Sequence, residues 1–418
     1  MNLLIKNGLI VTQDDSRSVV KGNIYVEDGI ITEIGSKARK DDYVIDAGGG
    51  IVMPGLINAH THVAMTEFRG MIDDMNLEAF IEKTFSLDNR RTRTSIEFST
   101  KLSILEMIMS GTTTFLDLYY SEDIIADICK AAGIRAFLSW VVLDEDKTTQ
   151  KGKPLSNAEN FVKSHGNDPL INPSVGIQGV YVCSEETVRA AKDLASKNRV
   201  LLHMHLSETR AEVYNHQRLF GRRPVEWLKG LDFFNGSSVV AAHGAWLTKR
   251  EMSDLFMGGA SVAHCARSNM KLGSGIAPVK EMMETGINVS VGTDSATTSN
   301  NLDMFEEMRT ASYLQKVSKW DSSVLNAMQT LDMATRNGAT ALRSFDKIGS
   351  LEIGKRADII ILSRESIRVN PLNASNAITN IVYSAQGSDV STTIVDGKPL
   401  LLEGILSREL KRLNPLNQ

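Results

Sequence analysis

The stretch Asn58-Ala59-His60-Thr61-His62 closes an apolar run with two imidazoles two residues apart. In a β-strand alternate side chains share a face, so both rings would point the same way. Two neutral nitrogens at that spacing make a rigid half-site for zinc or a similar divalent ion. A second run, Leu202-His203-Met204-His205-Leu206-Ser207-Glu208, offers a further ligand in His205 and a carboxylate, Glu208, three residues on. A third ends Ala241-Ala242-His243, and a fourth ends Val291-Gly292-Thr293-Asp294, which supplies the fourth ligand candidate. Singly, each has an ordinary reading: a His-x-His pair is a weak motif, and an Asp after a strand commonly caps a helix. Four such groups at four strand ends point instead to one metal site. His203 shares the face of His205 one layer deeper, and reads as a satisfied core residue or a support behind the ligands. His264 reads either as such a support or as facing the ligands, and His165 and His216, in polar stretches, read as solvated surface.

Positioning these groups requires a parallel sheet. Eight strand candidates follow one another at 51–62, 112–119, 135–143, 174–181, 200–206, 237–243, 260–264 and 287–294. Eight is the number of a TIM barrel, whose active sites lie at the C-terminal ends of the strands. Helical patterns at 94–110, 185–197, 249–257 and 279–285 lie between them, with Gly111, Gly259 and Gly286 placed as stops. Two long helical patterns, 302–317 and 323–342, come after the last strand. Short strands separated by turn signals occupy the first fifty residues, and the same texture returns at 358–362, 378–383 and 392–395. Neither terminal piece has an adequate core alone. The expectation is an α/β chain: a (β/α)8 TIM barrel over 53–345 and a small β-sandwich domain formed from 1–52 plus 346–418.

The balance of 46 Lys+Arg against 50 Asp+Glu leaves a net charge of −4, with no basic excess to drive binding to nucleic acid or an anionic membrane. The expected partner is a small molecule. Cys129, Cys183 and Cys265 are three in number and widely spaced, which argues against a disulfide framework and for a reducing compartment, the cytoplasm by default. They are expected to stay outside the metal site. No run approaches the ~18 apolar residues of a membrane span.

Together these motifs resemble the amidohydrolase superfamily, in the branch of S-adenosylhomocysteine and methylthioadenosine deaminases, guanine and cytosine deaminases and triazine chlorohydrolases. The resemblance is carried by Pro54-Gly-Leu-Ile-Asn-Ala-His-Thr-His62, Met65-Thr-Glu-Phe-Arg-Gly70, His205-Leu-Ser-Glu-Thr209, Ala242-His-Gly244, Ser268-Asn-Met-Lys-Leu-Gly-Ser-Gly275, Gly292-Thr-Asp294 and Gly349-Ser-Leu-Glu-Ile-Gly-Lys-Arg-Ala-Asp358. It implies one divalent metal, zinc with iron or manganese as alternatives, held by His60, His62, His205 and Asp294. It further implies hydrolytic deamination of an amino-substituted N-heterocycle by a metal-bound hydroxide, with release of ammonia. Asp294 would move the proton of the water, Glu208 would protonate a ring nitrogen, and His243 would orient the nucleophile.

An adenosine-type nucleoside is the leading substrate: methylthioadenosine, S-adenosylhomocysteine, 5′-deoxyadenosine or adenosine. A triazine chlorohydrolase or aminohydrolase, a pterin or guanine deaminase, and a non-catalytic scaffold relative are the alternatives. Three pocket positions depart from the adenosyl-deaminase pattern. Gln178 stands where those enzymes carry a histidine, Asp88 where they carry a longer acid for the ribose, and Trp140 where an arginine meets the homocysteine carboxylate, with Lys151 or Lys153 nearby as a substitute charge. The family precedent and methionine-bearing helical faces suit a homo-oligomer.

Overall fold

The computed structural model describes residues 2–35, 43–75 and 77–417. Strands β1 (Leu3–Val11), β2 (Val19–Glu27), β3 (Ile30–Ile34), β4 (Tyr43–Asp46) and β5 (Ile51–Pro54) open one sheet. The next eight are β6 (Leu56–Thr61), β7 (Thr112–Tyr119), β8 (Arg135–Val142), β9 (Ile171–Ile177), β10 (Leu201–Leu206), β11 (Ser238–His243), β12 (Ser261–His264) and β13 (Asn288–Val291). They pair in sequence order, each parallel to the next, into an eight-stranded barrel. Strands β14 (Ile359–Leu362), β15 (Val390–Val395), β16 (Lys398–Leu402) and β17 (Ile405–Leu406) return to the first sheet, which is mixed and nine-stranded. The fold is thus an α/β TIM barrel with a second sheet built from both ends of the chain. Barrel strands such as β6, β7 and β10 are buried along their whole length, as expected of parallel strands covered on both faces.

The barrel closes between its last and first strands through side chains and loop backbone. The Thr293 amide donates to Asn58 Oδ1 (3.0 Å), and Asn58 Nδ2 donates to Thr293 Oγ1 (2.7 Å). The Asp294 amide donates to the His60 carbonyl (2.9 Å). The approach is so close that a Cβ at Gly292 would lie 2.6 Å from the His60 nitrogen. One seam therefore sets where His60 and Asp294 stand relative to each other.

Several elements differ from their sequence reading. The strand expected over 51–62 divides at Gly55: β5 pairs with β1 and β14, and β6 enters the barrel. A side chain at this crossing would meet Thr113 Oγ1 at 2.1 Å. The fourth barrel strand runs Ile171–Ile177, earlier than expected, which leaves Gln178 beyond its end. The eighth ends at Val291, which puts Asp294 on a loop at φ 60°. The long helix expected over 323–342 breaks at Thr335, where φ −130° and ψ −89° are not helical, into Ala327–Ala334 and Arg336–Ala341. The strand expected over 378–383 is a helix, Ala377–Tyr383, whose buried Ala377, Ile381 and Val382 repeat at helical spacing. Among the described residues no helix is long and apolar enough to cross a membrane.

The seam generates a stability test. G292A forces a Cβ against the backbone of His60, an overpacking that costs about 1–3 kcal/mol. It is expected to lower the thermal unfolding midpoint and the retained metal together; an unchanged midpoint would show that the seam relaxes freely.

Candidate active site

His60, His62, His205, His243 and Asp294 converge at the C-terminal mouth of the barrel, all of them buried. Each of the three candidate ligand imidazoles has its Nδ1 within hydrogen-bond distance of a fixed partner. His62 Nδ1 lies 2.6 Å from the Leu118 carbonyl on β7, and His205 Nδ1 lies 2.6 Å from the Gln178 carbonyl just past β9. Carbonyls only accept, so both Nδ1 atoms carry the proton and both Nε2 atoms present lone pairs. Those two Nε2 atoms are 3.3 Å apart. His60 Nδ1 meets His203 Nε2 at 2.9 Å, and the His60 Nε2 is buried with no hydrogen-bond partner. The side-chain ligand atoms of His60, His62 and His205 all lie within 4.8 Å of one another.

Asp294 completes the cluster. Its Oδ1 is 3.2 Å from His62 Nε2 and 3.7 Å from His60 Nε2, and accepts the Ser295 amide at 2.7 Å. The Ser268 hydroxyl donates to Oδ2 at 2.6 Å. Burial holds His60 and His205 well below the ordinary imidazole range, in the neutral form that ligates. On His62 burial also opposes a proton, but the hydrogen bond and charge of Asp294 outweigh it and lift this ring. Burial alone would raise Asp294; His62, His243 and Ser268 together hold it below the usual carboxylate range. Crowded lone pairs beside a buried carboxylate require a positive charge among them, and three nitrogens with one oxygen are a donor set for a divalent transition metal.

Above this cluster stand two groups suited to proton transfer. His243, at φ 74°, directs Nδ1 to Asn269 Oδ1 (2.9 Å) and brings Nε2 to 3.9 Å from Glu208 Oε2. Burial raises the Glu208 carboxyl, against the pull of His243, so it keeps its proton to higher pH than an exposed glutamate. Glu208 and His243 line a cleft with His62, His205, Asp294, Asp88 and Gln178. Asp88 ends the helix Leu77–Asp88 and accepts the hydroxyls of Tyr119, Tyr120 (2.6 Å) and Thr149 (3.2 Å).

Of the residues expected in the pocket, Trp140 is corrected: it lies outside the cleft lining. Ser139, its neighbour on β8, faces the interior near His203, so period-two alternation turns Trp140 outward. There it packs on Phe161, with its indole N–H donating to Gln150 Oε1 at 2.9 Å. Lys151 and Lys153 are exposed and do not line the cleft. His216 is likewise not solvated: it is buried against Phe220 and Trp227 and meets the Arg222 carbonyl at 2.8 Å. His165 is half-buried against Phe161. His203, pushed down to about 3 by burial, supports His60 from behind. His264 is buried outside the lining, with neither ring nitrogen hydrogen-bonded and burial pushing it down to about 4. Cys265 comes closer than expected, within 4.8 Å of ligand atoms of His60 and His243. Burial raises its thiol well above the ordinary range, which disfavours the free thiolate.

Ser268 and Asn269, which orient Asp294 and His243, had no role in the sequence reading beyond their motif, because a hydrogen bond across 26 residues leaves no spacing signal. Comparison with known proteins bears on the whole chain. A 5′-deoxyadenosine deaminase of Methanosarcina mazei is 41% identical over 405 residues, which is 96% of this chain and 93% of that one. A 5-methylthioadenosine/S-adenosylhomocysteine deaminase of Thermococcus sibiricus is 38% identical over 407 residues, 96% and 94% of the two chains. The crystal structure of an adenosine deaminase from Xanthomonas campestris with bound zinc matches with a TM-score of 0.93 at 29% identity, covering 99% of this chain and 97% of that one. The model of the amidohydrolase family matches residues 51–400. With the barrel, the converging imidazoles and this full-length similarity in agreement, the chain belongs to the amidohydrolase family.

Proposed function

We propose that the protein is a metal-dependent hydrolytic deaminase of an adenosine-type nucleoside, with His60, His62, His205 and Asp294 as the ligands of one zinc ion. The observation that carries this reading is the convergence of three imidazoles and a carboxylate beside the buried Glu208 carboxyl in one cleft. The deaminase names of relatives near 40% identity support the substrate class. A zinc ion bound there supplies Lewis acidity that activates water near neutral pH.

The chain's own groups do the rest. Glu208 holds a proton on its carboxyl and gives it to the ring nitrogen beside the amino-bearing carbon, which makes that carbon electrophilic. Asp294 takes the proton of the attacking water on its carboxylate and passes it to the departing amine; as ammonia leaves, the hydroxyl proton of the adduct restores the Glu208 carboxyl and the oxo heterocycle remains. His243, its Nδ1 tied to Asn269, aims Nε2 at the reacting face and stabilises the oxygen of the adduct. The tyrosine-anchored Asp88 carboxylate accepts hydroxyls of the sugar, and Gln178 borders the base.

The cleft carries the carboxylates of Asp88 and Asp294 together with the Glu208 carboxyl and, among the described lining residues, neither Lys nor Arg. A nucleoside with an uncharged 5′ group suits it better than one ending in a carboxylate. Ammonia release across adenosines, purines, pterins and triazines tests the reading: adenosine-type nucleosides are expected to react, 5′-deoxyadenosine and methylthioadenosine about tenfold or more better in kcat/KM than S-adenosylhomocysteine. Activity confined to triazines or pterins would overturn it. E208Q is expected to lower kcat by about 10²–10⁴ with bound metal unchanged, and full activity would remove the assigned acid. H205A is expected to lose metal at least about tenfold by elemental analysis, and full retention would remove His205 from the ligands.

A further inference from the structure

Glu212 is a buried carboxylate beside the chemistry that the mechanism leaves without a task. It is the third residue of the helix Arg210–Phe220, whose cap, Thr209, accepts the Glu212 amide at 3.1 Å. In a capping box a glutamate at this position returns to the amide of the cap residue. Here it reaches further back: Oε1 accepts the Ser207 amide at 3.0 Å and Oε2 the Glu208 amide at 2.8 Å. Ser207 is bent into the left-handed region at φ 48°, where a side chain is crowded against the backbone. Successive amides around such a residue form a concave anion-binding nest, and Glu212 fills this one from within the chain. The carbonyl side is held too, with Gly244 donating to Leu206 and Trp246 to Ser207, both at 3.0 Å. By contrast, among the described residues the Glu208 side chain has a 3.5 Å bond from the Ser274 hydroxyl and His243 at 3.9 Å. Its aim is therefore set mainly by its backbone.

We propose that Glu212 is a positioning residue for Glu208: by clamping the Ser207 and Glu208 amides it fixes the bend that directs the acid into the cleft. The proposal rests on the catalytic assignment of Glu208 made above. Glutamine at position 212 keeps the volume but offers one acceptor and turns an NH2 group towards an amide donor.

A double-mutant cycle decides between positioning and mere structure. E212Q is expected to lower kcat about 100-fold with KM and metal content within about threefold of wild type. In the E208Q background, followed by product formation at high enzyme concentration, the same substitution is expected to cost less than about threefold, because the group it positions is already gone. Unchanged kcat in E212Q, or an equal loss in both backgrounds, would overturn the proposal. Should E212Q not fold, E212D carries the same cycle with the carboxylate one methylene back. Hydrogen exchange gives an arm independent of turnover: the Ser207 and Glu208 amides should exchange at least tenfold faster in the variant, and equal exchange would refute the clamp. If wild type releases no ammonia from any nucleoside, the functional reading fails while this arm still decides the clamp.

Discussion

Everything at the barrel mouth depends on one electrostatic constraint. The Leu118 and Gln178 carbonyls take the Nδ1 protons of His62 and His205, which leaves two Nε2 lone pairs facing each other at 3.3 Å with the Asp294 carboxylate beside them. Burial disfavours protonation of His60 and His205. The upward pull on His62 is the same demand in miniature, a search for one positive charge at the centre of the cluster. A divalent cation meets it without any change of tautomer. The supporting carbonyls thus fix ring orientation and ligand basicity at once.

The backbone meets that constraint at a cost. Ser207, His243 and Asp294 all adopt positive φ where barrel strands end, a conformation worth about 1–3 kcal/mol of strain in non-glycine residues. Such strain persists only where the surroundings over-determine it, and each of the three is tied. Asp294 is held by its amide to His60 and its Oδ2 to Ser268, His243 by Asn269, and Ser207 by Glu212. The bends turn the chain out of the sheet just where a side chain must leave the wall and enter the cleft. A barrel seam closed by Asn58 and Thr293 adds the last restraint, because it leaves His60 and Asp294 no freedom to slide apart.

The strand ends carrying His60, His62, His205 and Asp294 were legible because buried parallel strands write themselves as continuous apolar runs, and residues at their ends stand out. Less legible was everything set by the partner of a segment. Residues 51–54 read as one strand with 56–61, since periodicity cannot tell which sheet a strand joins. Residues 378–383 read as a strand because a short apolar run fits both periods, and only packing decides for the helix Ala377–Tyr383. His216 looked solvated because its neighbours in sequence are polar, while its neighbours in space are Phe220 and Trp227. Only the family resemblance points Trp140 to the pocket, and the alternation along β8 turns it to the other face.

The outer wall of the cleft follows a different logic from its floor. Asp88 belongs to no barrel strand; it ends the helix Leu77–Asp88 and is held by hydroxyls of the stacked pair Tyr119 and Tyr120. Burial and the Asp88 charge push both phenols up, so they remain donors to the carboxylate. Tyr119 ends the strand whose Leu118 carbonyl fixes His62, so wall and floor share one rigid element while their side chains face separate tasks. Residues such as Thr148 and Thr149, by contrast, lie on the segment between β8 and the helix Pro154–His165. A change there reshapes the outer wall of the cleft without touching the imidazole cluster on its floor, as loops set on a barrel scaffold allow.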